Sequence, residues 1–586
     1  MYIVGIDIGK NHHEASIVSP EGKQIGRSLR FATTHKGADS LMSFIFKNIG
    51  NSPCVFGMEA TGHYWYPIYS FLKAKGYTIY VINPIQSDSL RKMYIRQTKN
   101  DSIDSFLIAE TNLNRVIHTP RFYERNPVLG PDKEWEKTTE GGLYAAPFSD
   151  GIWYDEKDGK FKMWYLAGAG VLHKGDNQTF YTGYAESEDG KYWTKPVLDI
   201  WNQTNIVDTC NRDAATIWLD KQEKDPSKRY KMFNVERRPT DRRWQFILKY
   251  SSDGIHWGEG VAQSGDLYDR SSAFYNPFRD VWALSMRYGT TVSSRSRSYS
   301  ENKDPEMAVS FAHRIRKGVP DKNMVYWFTP SDKEPRHPEF PEVEPGIYNF
   351  DAIAYESIML GLYSVWQGPE NGVCAKLGIQ KKNEIFLGYS RDGFHFYRPS
   401  FKPFMAVNET EGAWNWGNMQ SINGVPLIVG DSLYFYSSGR QRNKIMWDSY
   451  TSTGLATLRR DGFVSMHGDK DGYLLTEKVR FDGKHLFINA DVKGSLAVEI
   501  LDENGKPLEG FTRKDCVPMK KTDKTKLLVT WKKHQNIASL IGKAVRLKFY
   551  LDNADIYAFW ISPWQTGESR GYTSGGGPGL STCGID

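Results

Sequence analysis

Two sets of carboxylates in this sequence have spacings that could do chemistry. The first is Asp7, Glu59, Asp101 and Asp104. Asp7 sits between Ile6 and Ile8 in an apolar run, Glu59 ends another run in GMEATG, and Asp101 and Asp104 in TKNDSIDSF stand three apart, on one helix face. An aspartate in a buried strand is costly unless it is paired or ligated. Four such groups can hold two Mg²⁺ ions roughly 3.5 to 4 Å apart, an arrangement that polarises a phosphodiester and activates the attacking oxygen. The bland alternative is a domain that folds around these residues and does no chemistry.

The second set is Asp150, Asp213, Asp269 and Glu356. Asp213 lies five residues before Trp218 and Asp269 five before Phe274, while Asp150 lies three before Trp153 and Glu356 three before Met359. All four offsets are odd, so each acid shares a strand side opposite its apolar anchor. Acids from separate strands could then meet in one pocket. Glycoside hydrolysis needs such a meeting: one carboxylic acid protonates the leaving oxygen, and a second carboxylate acts as nucleophile or activates water. Arg212 and Arg270, each beside an aspartate, would hold it ionised. Glu356, with no basic neighbour, is the expected proton donor, Asp213 is next, as base or transition-state stabiliser, then Asp150, and Asp269 is a further candidate. Trp414 and Trp416 in EGAWNWGNM could stack on sugar rings or pack the core. The competing reading of each acid is a turn cap or a structural partner for Arg.

The elements that must position the first set run strand, strand, strand, helix, then alternate. Strands are expected at Tyr2–Ile8, Glu14–Val18, Gln24–Phe31, Cys54–Met58 and Thr78–Ile82, with helices at Ala38–Ile49, Tyr64–Lys75 and Asp101–Glu110. That order predicts an α/β RNase H-like domain over residues 1–114. The series GIDIGK, MEATGHYW, VINP and TKNDSIDSFLIAE resembles the N-terminal DEDD domain of the bridge-RNA-guided transposases, over about the first 112 residues. The resemblance implies that Asp7, Glu59, Asp101 and Asp104 bind catalytic Mg²⁺ and that DNA, with a guide RNA, is the partner. The family's helical second domain, with its nucleophilic serine, has no counterpart after Asn114. GIDIGK also suits the first phosphate hairpin of a sugar kinase or actin-like ATPase, but no second glycine-rich phosphate loop follows.

After Asn114 a repeat organises the chain. SEDGKYW, SSDGIHW and SRDGFHF share the pattern Ser-x-Asp-Gly-x-x-aromatic at Asp189, Asp253 and Asp392, and RRDGFVS adds Asp461. Their separations of 64, 139 and 69 positions make five units, with Asp321 at the degenerate one. Ahead of each turn lies an apolar strand pair: GIWYDEKDGKFKMWYLAG, TIWLDKQEKDPSKRYKMFNVE, AFYNPFRDVWALSMRYG, SIMLGLYSVWQG and PLIVGDSLYFYSSG. Five four-stranded blades predict a β-propeller over residues 115–465, in which the Asp-Gly turns are structural. Short strands divided by DG, DENGKP and DNAD turns predict a β-sandwich at 466–565, and residues 566–586 read as a flexible Gly/Ser-rich tail. The blade pattern is similar to the five-bladed propellers of the invertase, fructanase and arabinanase type, although the WMNDPNG segment of invertases is absent. That resemblance implies a glycoside hydrolase acting on oligo- or polysaccharide without a cofactor. A glycan-binding propeller with no turnover, beside an inert transposase remnant, is the alternative.

Composition agrees with several domains rather than one. At 586 residues the chain exceeds a single core, and 18 Trp and 33 Tyr suit sheet-rich, carbohydrate-stacking surfaces. The net charge is +6, and residues 1–115 carry 13 Lys plus Arg against 9 Asp plus Glu, which is compatible with nucleic acid and equally with solvated lysine faces. Five scattered cysteines suggest neither a zinc site nor a disulfide framework. The sequence contains no secretory signal and no membrane-length apolar run, so the chain as written is expected to be cytoplasmic, whereas propellers of this type are normally exported.

Overall fold

The computed structural model describes residues 2–8, 12–19, 24–59, 66–82, 113–138, 141–168, 180–289, 295–315, 323–423, 425–443 and 449–586. These fall into two compact units, residues 1–107 with 477–479, and the remainder of the chain from residue 108. The described secondary structure is mostly strand.

In the first unit, β1 (Tyr2–Asp7), β2 (His12–Val18), β3 (Gln24–Ala32), β4 (Cys54–Glu59) and β5 (Ile79–Ile82) form one sheet in the order β3-β2-β1-β4-β5. β1, β2 and β3 are antiparallel neighbours, while β4 and β5 run parallel to β1. Helices α1 (His35–Ile49) and α2 (Tyr66–Ala74) supply the crossovers that parallel pairing requires. Thr34 caps α1 by accepting from the Gly37 N–H at 3.1 Å. Leu41, Ile45 and Ile49 recur at helical spacing and are buried with Val4, Ile6, Phe56 and Met58. The expected helix at Asp101–Glu110 lies outside the described residues.

In the second unit each sequence repeat folds as an antiparallel meander. The second repeat is Arg212–Leu219, Tyr230–Arg237, Trp244–Ser251 and Ala262–Gln263; the third is Ser272–Asn276, Val281–Tyr288, Ser296–Asn302 and Val325–Phe328. Their first strands touch, and the first strand of the third repeat touches that of the fourth, Gly346–Glu356. The ring closes by hydrogen bonding: Leu143–Ala146 of the first repeat pairs with Ser449–Arg459 of the fifth, whose outer edge takes Arg121–Phe122.

The Asp-Gly turns lock neighbouring repeats together. In each Ser-x-Asp-Gly turn the serine hydroxyl accepts from the glycine N–H at 2.9 Å, and the aspartate accepts two backbone N–H bonds. Every turn then docks on the preceding repeat. Trp164 of the first repeat donates to the Gly254 carbonyl at 2.8 Å, Trp327 of the third to Phe394 at 2.7 Å, and Tyr436 of the fifth to Gly190 of the first. Tyr355 of the fourth repeat donates to Asp461 of the fifth. Asp321 lies outside the described residues.

Three expectations need correction. First, the strand expected to open the fourth repeat, at SIMLGLYSVWQG, is its second strand, Ile358–Gly368; the first is Gly346–Glu356, joined to it by a tight turn at Glu356-Ser357. Second, DNAD does not turn the chain. It is an irregularity within Val545–Ser562, opposite a matching bulge in His485–Asp502, so two long strands run through where four short ones were expected. These strands belong to one six-stranded sheet, which also takes Asn114–Ile117, so the segment after residue 114 begins in this sheet rather than in the repeats. Third, the Gly/Ser-rich end is packed: residues 573–577 are buried, Tyr572 and Thr573 pair with Glu356 and Tyr355, and Gly576 donates to Thr573 while accepting from Ile428 at 2.9 Å. Glycine's lack of a side chain suits this seat, since a Cβ on Gly577 would strike the Ile428 carbonyl.

Candidate functional site

In the first unit Ile6 of β1 pairs with Met58 of the parallel β4, so Asp7 and Glu59 are the next residues at the same end of adjacent strands. Asp7 is exposed at the strand end, not buried as expected, because the sheet's inward positions are taken by Val4, Ile6 and Ile8. Asp101 and Asp104 lie outside the described residues. Carboxylates are the hard oxygen ligands that Mg²⁺ takes, and Asp7 and Glu59 would be its holders.

The second unit gathers three of the four remaining acids. Asp150 opens the inner strand of the first repeat, where Ser149 (φ 67°) and Gly151 (φ 130°) kink the backbone. Its carboxylate accepts from the Phe148 N–H and from Arg212 Nη2, each at 2.5 Å, and neither partner of the ion pair is exposed. Asp213, the next residue, accepts from the Arg270 N–H at 2.9 Å, and Arg270 Nε is 3.6 Å away. Asp269 is bonded by Arg287 and lies 3.3 Å from Arg295. The acid that opens one repeat is thus paired with the arginine that opens the next, so Arg212 and Arg270 bond the acids of the preceding repeats, Asp150 and Asp213, rather than the adjacent aspartates they were expected to hold.

These partners push the acids apart in protonation. Burial raises the Asp150 carboxyl above the ordinary range against the pull of Arg212. Burial acts on Asp269 in the same sense, but Arg295 and Arg287 outweigh it and hold that carboxyl well below its usual value.

Glu356 does not join this group. It closes the inner strand of the fourth repeat, whereas Asp150, Asp213 and Asp269 stand at or before the start of theirs. The eight residues from Tyr348 to Glu356 correspond to ~26 Å of strand. Tyr348 is the end that reaches Arg270 and Arg295, with guanidinium carbons 5.5 and 3.9 Å from its ring. Glu356 instead lines a cavity of about 510 Å³ with Arg460, Asp461, Trp560 and Tyr572. Burial and the neighbouring Asp461 raise its carboxyl to about 7. Trp414 takes the packed one of its two readings: it sits beneath Gly439 and Gly454 and against Phe122, inside the fifth repeat. The Trp416 N–H donates to Ala413 in the adjoining turn.

The strand that reading missed, GIYNFDAIAYE, supplies what Glu356 does not. Asp351 is 4 % exposed and accepts from Asn349 at 2.8 Å; burial raises it to about 7 against Ser149, Ser272 and Arg297. The Tyr348 hydroxyl accepts from Lys381 at 3.3 Å and Gln420 at 3.1 Å. Burial opposes its ionisation, yet Lys381, Arg270 and Arg295 bring the phenol down to about 7. The alternation of YNFDA, Tyr348 to Ala352, could have marked this strand.

Asp208, Cys210 and Glu236 bring ligand atoms within 4.8 Å of one another. Lys249 Nζ occupies their midst, at 2.6 Å from Asp208, 3.1 Å from Cys210 and 3.3 Å from Glu236, so an ammonium already satisfies this cluster. The five cysteines are free thiols. No described helix is long and apolar enough to cross a membrane.

No curated protein matches the chain. Solved structures similar to it include a fructofuranosidase from Schwanniomyces occidentalis complexed with fructosylnystose, at 11% identity and TM-score 0.34, covering 76% of this chain and 96% of that one. A glycosyl hydrolase from Bacteroides ovatus aligns at 14% identity and TM-score 0.37, covering 58% and 94%. An N-acetylgalactosamine deacetylase from F. plautii aligns at 12% and 0.37, covering 60% and 97%. At such scores these likenesses carry no argument about the chain's activity. The family finding concerns the first unit and the residues just past it: residues 4–127 match the DEDD family model described as a transposase.

Proposed function

We propose that the chain joins a transposase-type nucleic-acid domain to a five-bladed propeller that acts on glycans. For the first unit the support is the match at residues 4–127 and a sheet whose order and directions suit an RNase H-like fold. Asp7 and Glu59 would hold Mg²⁺, which would supply polarisation of a DNA phosphodiester. Binding or cleavage of DNA by the full chain in Mg²⁺, compared with Asp7→Ala, tests this; identical behaviour of the two proteins refutes it.

For the second unit the carrying observation is that Asp150, Asp213 and Asp269 converge from three inner strands at one end of the ring, tied together by Arg212 and Arg270. Hydrolysis of a glycosidic bond needs one carboxylate kept charged and one carboxyl kept protonated near neutrality. Asp269, held ionised by two arginines, suits the first role. Asp351, raised to about 7, suits the second. Both lie in the field of Arg297. Full-length protein assayed against aryl glycosides and polysaccharides should lose turnover on Asp351→Asn and on Asp269→Asn. Turnover that survives both changes removes the assignment.

A second reading, glycan binding without turnover, is favoured by the burial of Asp150 and Asp351. It predicts ligand-induced stabilisation with no product.

A further inference from the structure

Around Tyr348 and Asp269 the positive charges outnumber the negative ones that could satisfy them. Arg295 stacks on the Tyr348 ring at 3.9 Å, Lys381 lies 5.0 Å from the same ring, and Arg287 bonds Asp269 from beside it. Arg270 adds a fourth cation, lying 3.6 Å from the centre of the Phe148 ring. Among the described residues, the carboxylates within ion-pair distance of the three arginines are Asp269 and Asp213. Four cations therefore face two carboxylates and the Tyr348 phenol among the described residues.

The donors are not used up either. Nε of Arg270, Arg287 and Arg295, and Nη1 of Arg270, are buried with no hydrogen-bond partner among the described residues. Buried donors of this kind cost free energy unless something accepts from them, and a guanidinium fork matches the paired oxygens of a carboxylate or sulfate. Yet the place is not sealed: the side chains of Arg287 and Asp269 are 32% and 28% exposed. A ligand arriving from solvent can reach them.

Resting on the glycan reading above, we infer that this end of the ring binds a glycan through an anionic substituent, a uronate carboxylate or a sulfate ester, seated against Arg270, Arg287, Arg295 and Lys381. Asp269 then competes with the ligand for the same guanidinium groups. In consequence, neutralising Asp269 strengthens binding, which mere loss of folding would not do.

The test is calorimetric titration of the full chain with galacturonate oligomers, with sulfated galactan oligomers and with neutral arabinan and xylan oligomers. The expected result is that one acidic series binds at least tenfold more tightly than the neutral ones and weakens as salt rises; which series does so identifies the anion. Arg287→Gln should weaken that binding about tenfold or more, the scale of one charge-assisted hydrogen bond. Asp269→Asn should tighten it, with a melting temperature recorded beside each variant. Equal affinity for neutral glycans, unmoved by Arg287→Gln, overturns the anionic inference and leaves the glycan reading standing. Binding of no glycan, acidic or neutral, overturns both. Failure of a well-folded Asp269→Asn to tighten acidic binding also refutes the inference.

Discussion

Gly254→Ala should be among the most damaging single-methyl changes in the second unit, because the Asp-Gly turn meets the neighbouring repeat there with no space to spare. Two contributions can be worked out. Gly254 has φ +80°, and placing an L-residue in that left-handed region costs about 1 to 2 kcal/mol. A Cβ would lie 2.5 Å from Trp164 Cζ2 and 3.2 Å from two Tyr230 ring atoms. Trp164 is fully buried and fixed by its 2.8 Å bond to the Gly254 carbonyl, so its ring cannot simply swing aside. Overpacking of this sort costs about 1 to 3 kcal/mol, for a total of roughly 2 to 5 kcal/mol. Gly412→Ala is the control: φ is +86° and nothing lies within 4 Å, so only the backbone contribution applies. Urea unfolding followed by tryptophan fluorescence should place the Gly254→Ala midpoint well below that of Gly412→Ala. Equal midpoints would refute the reasoning that these turns hold the repeats together.

Three other outcomes are expected. Asp155 is buried against Arg229 at 2.6 Å and Lys162 at 3.0 Å, and these partners with Tyr230 overcome burial to hold its carboxyl well below the usual range. Its contribution is therefore present above the unfolded value near 4 and lost as pH falls below it; Asp155→Asn should cost about 3 to 5 kcal/mol at pH 7, read by urea unfolding, and a loss under 1 kcal/mol would contradict the buried-pair account. Glu356 is the opposite case. Raised to about 7, it penalises the folded state increasingly as pH climbs from about 4.3 through 7, so Glu356→Gln should stabilise the protein at pH 8 and do little at pH 4.5; the reverse order of midpoints would rule this out. Truncation after Glu568 should lower the melting temperature, because it strips backbone bonds from Tyr154, Tyr355 and Ile428. An unchanged melting temperature would restore the view of the tail as loose chain.

By itself the sequence determined everything that repeats at short range. Alternation of period two and the Ser-x-Asp-Gly signature located the turns and many strands of the repeats, though not Gly346–Glu356, because both are consequences of backbone geometry within a few residues. The β1 to β5 strands and the two described helices were legible for the same reason. Offsets from a strand's first anchor grouped Asp150, Asp213 and Asp269, which do stand at one end of their strands, but the same offsets also drew in Glu356, which does not. Only the tertiary structure decided which of two consecutive apolar strands lies innermost. GIYNFDAIAYE, with its Asn, Asp and Glu, is the less apolar of the two beside IMLGLYSVWQG, yet packing against the third repeat makes it the inner strand. That choice moved Glu356 away from the other acids and put Tyr348 and Asp351 in their place. The packed glycine-rich end was hidden likewise: a missing side chain reads as freedom along the chain, but in the fold it is room for a neighbouring backbone to approach.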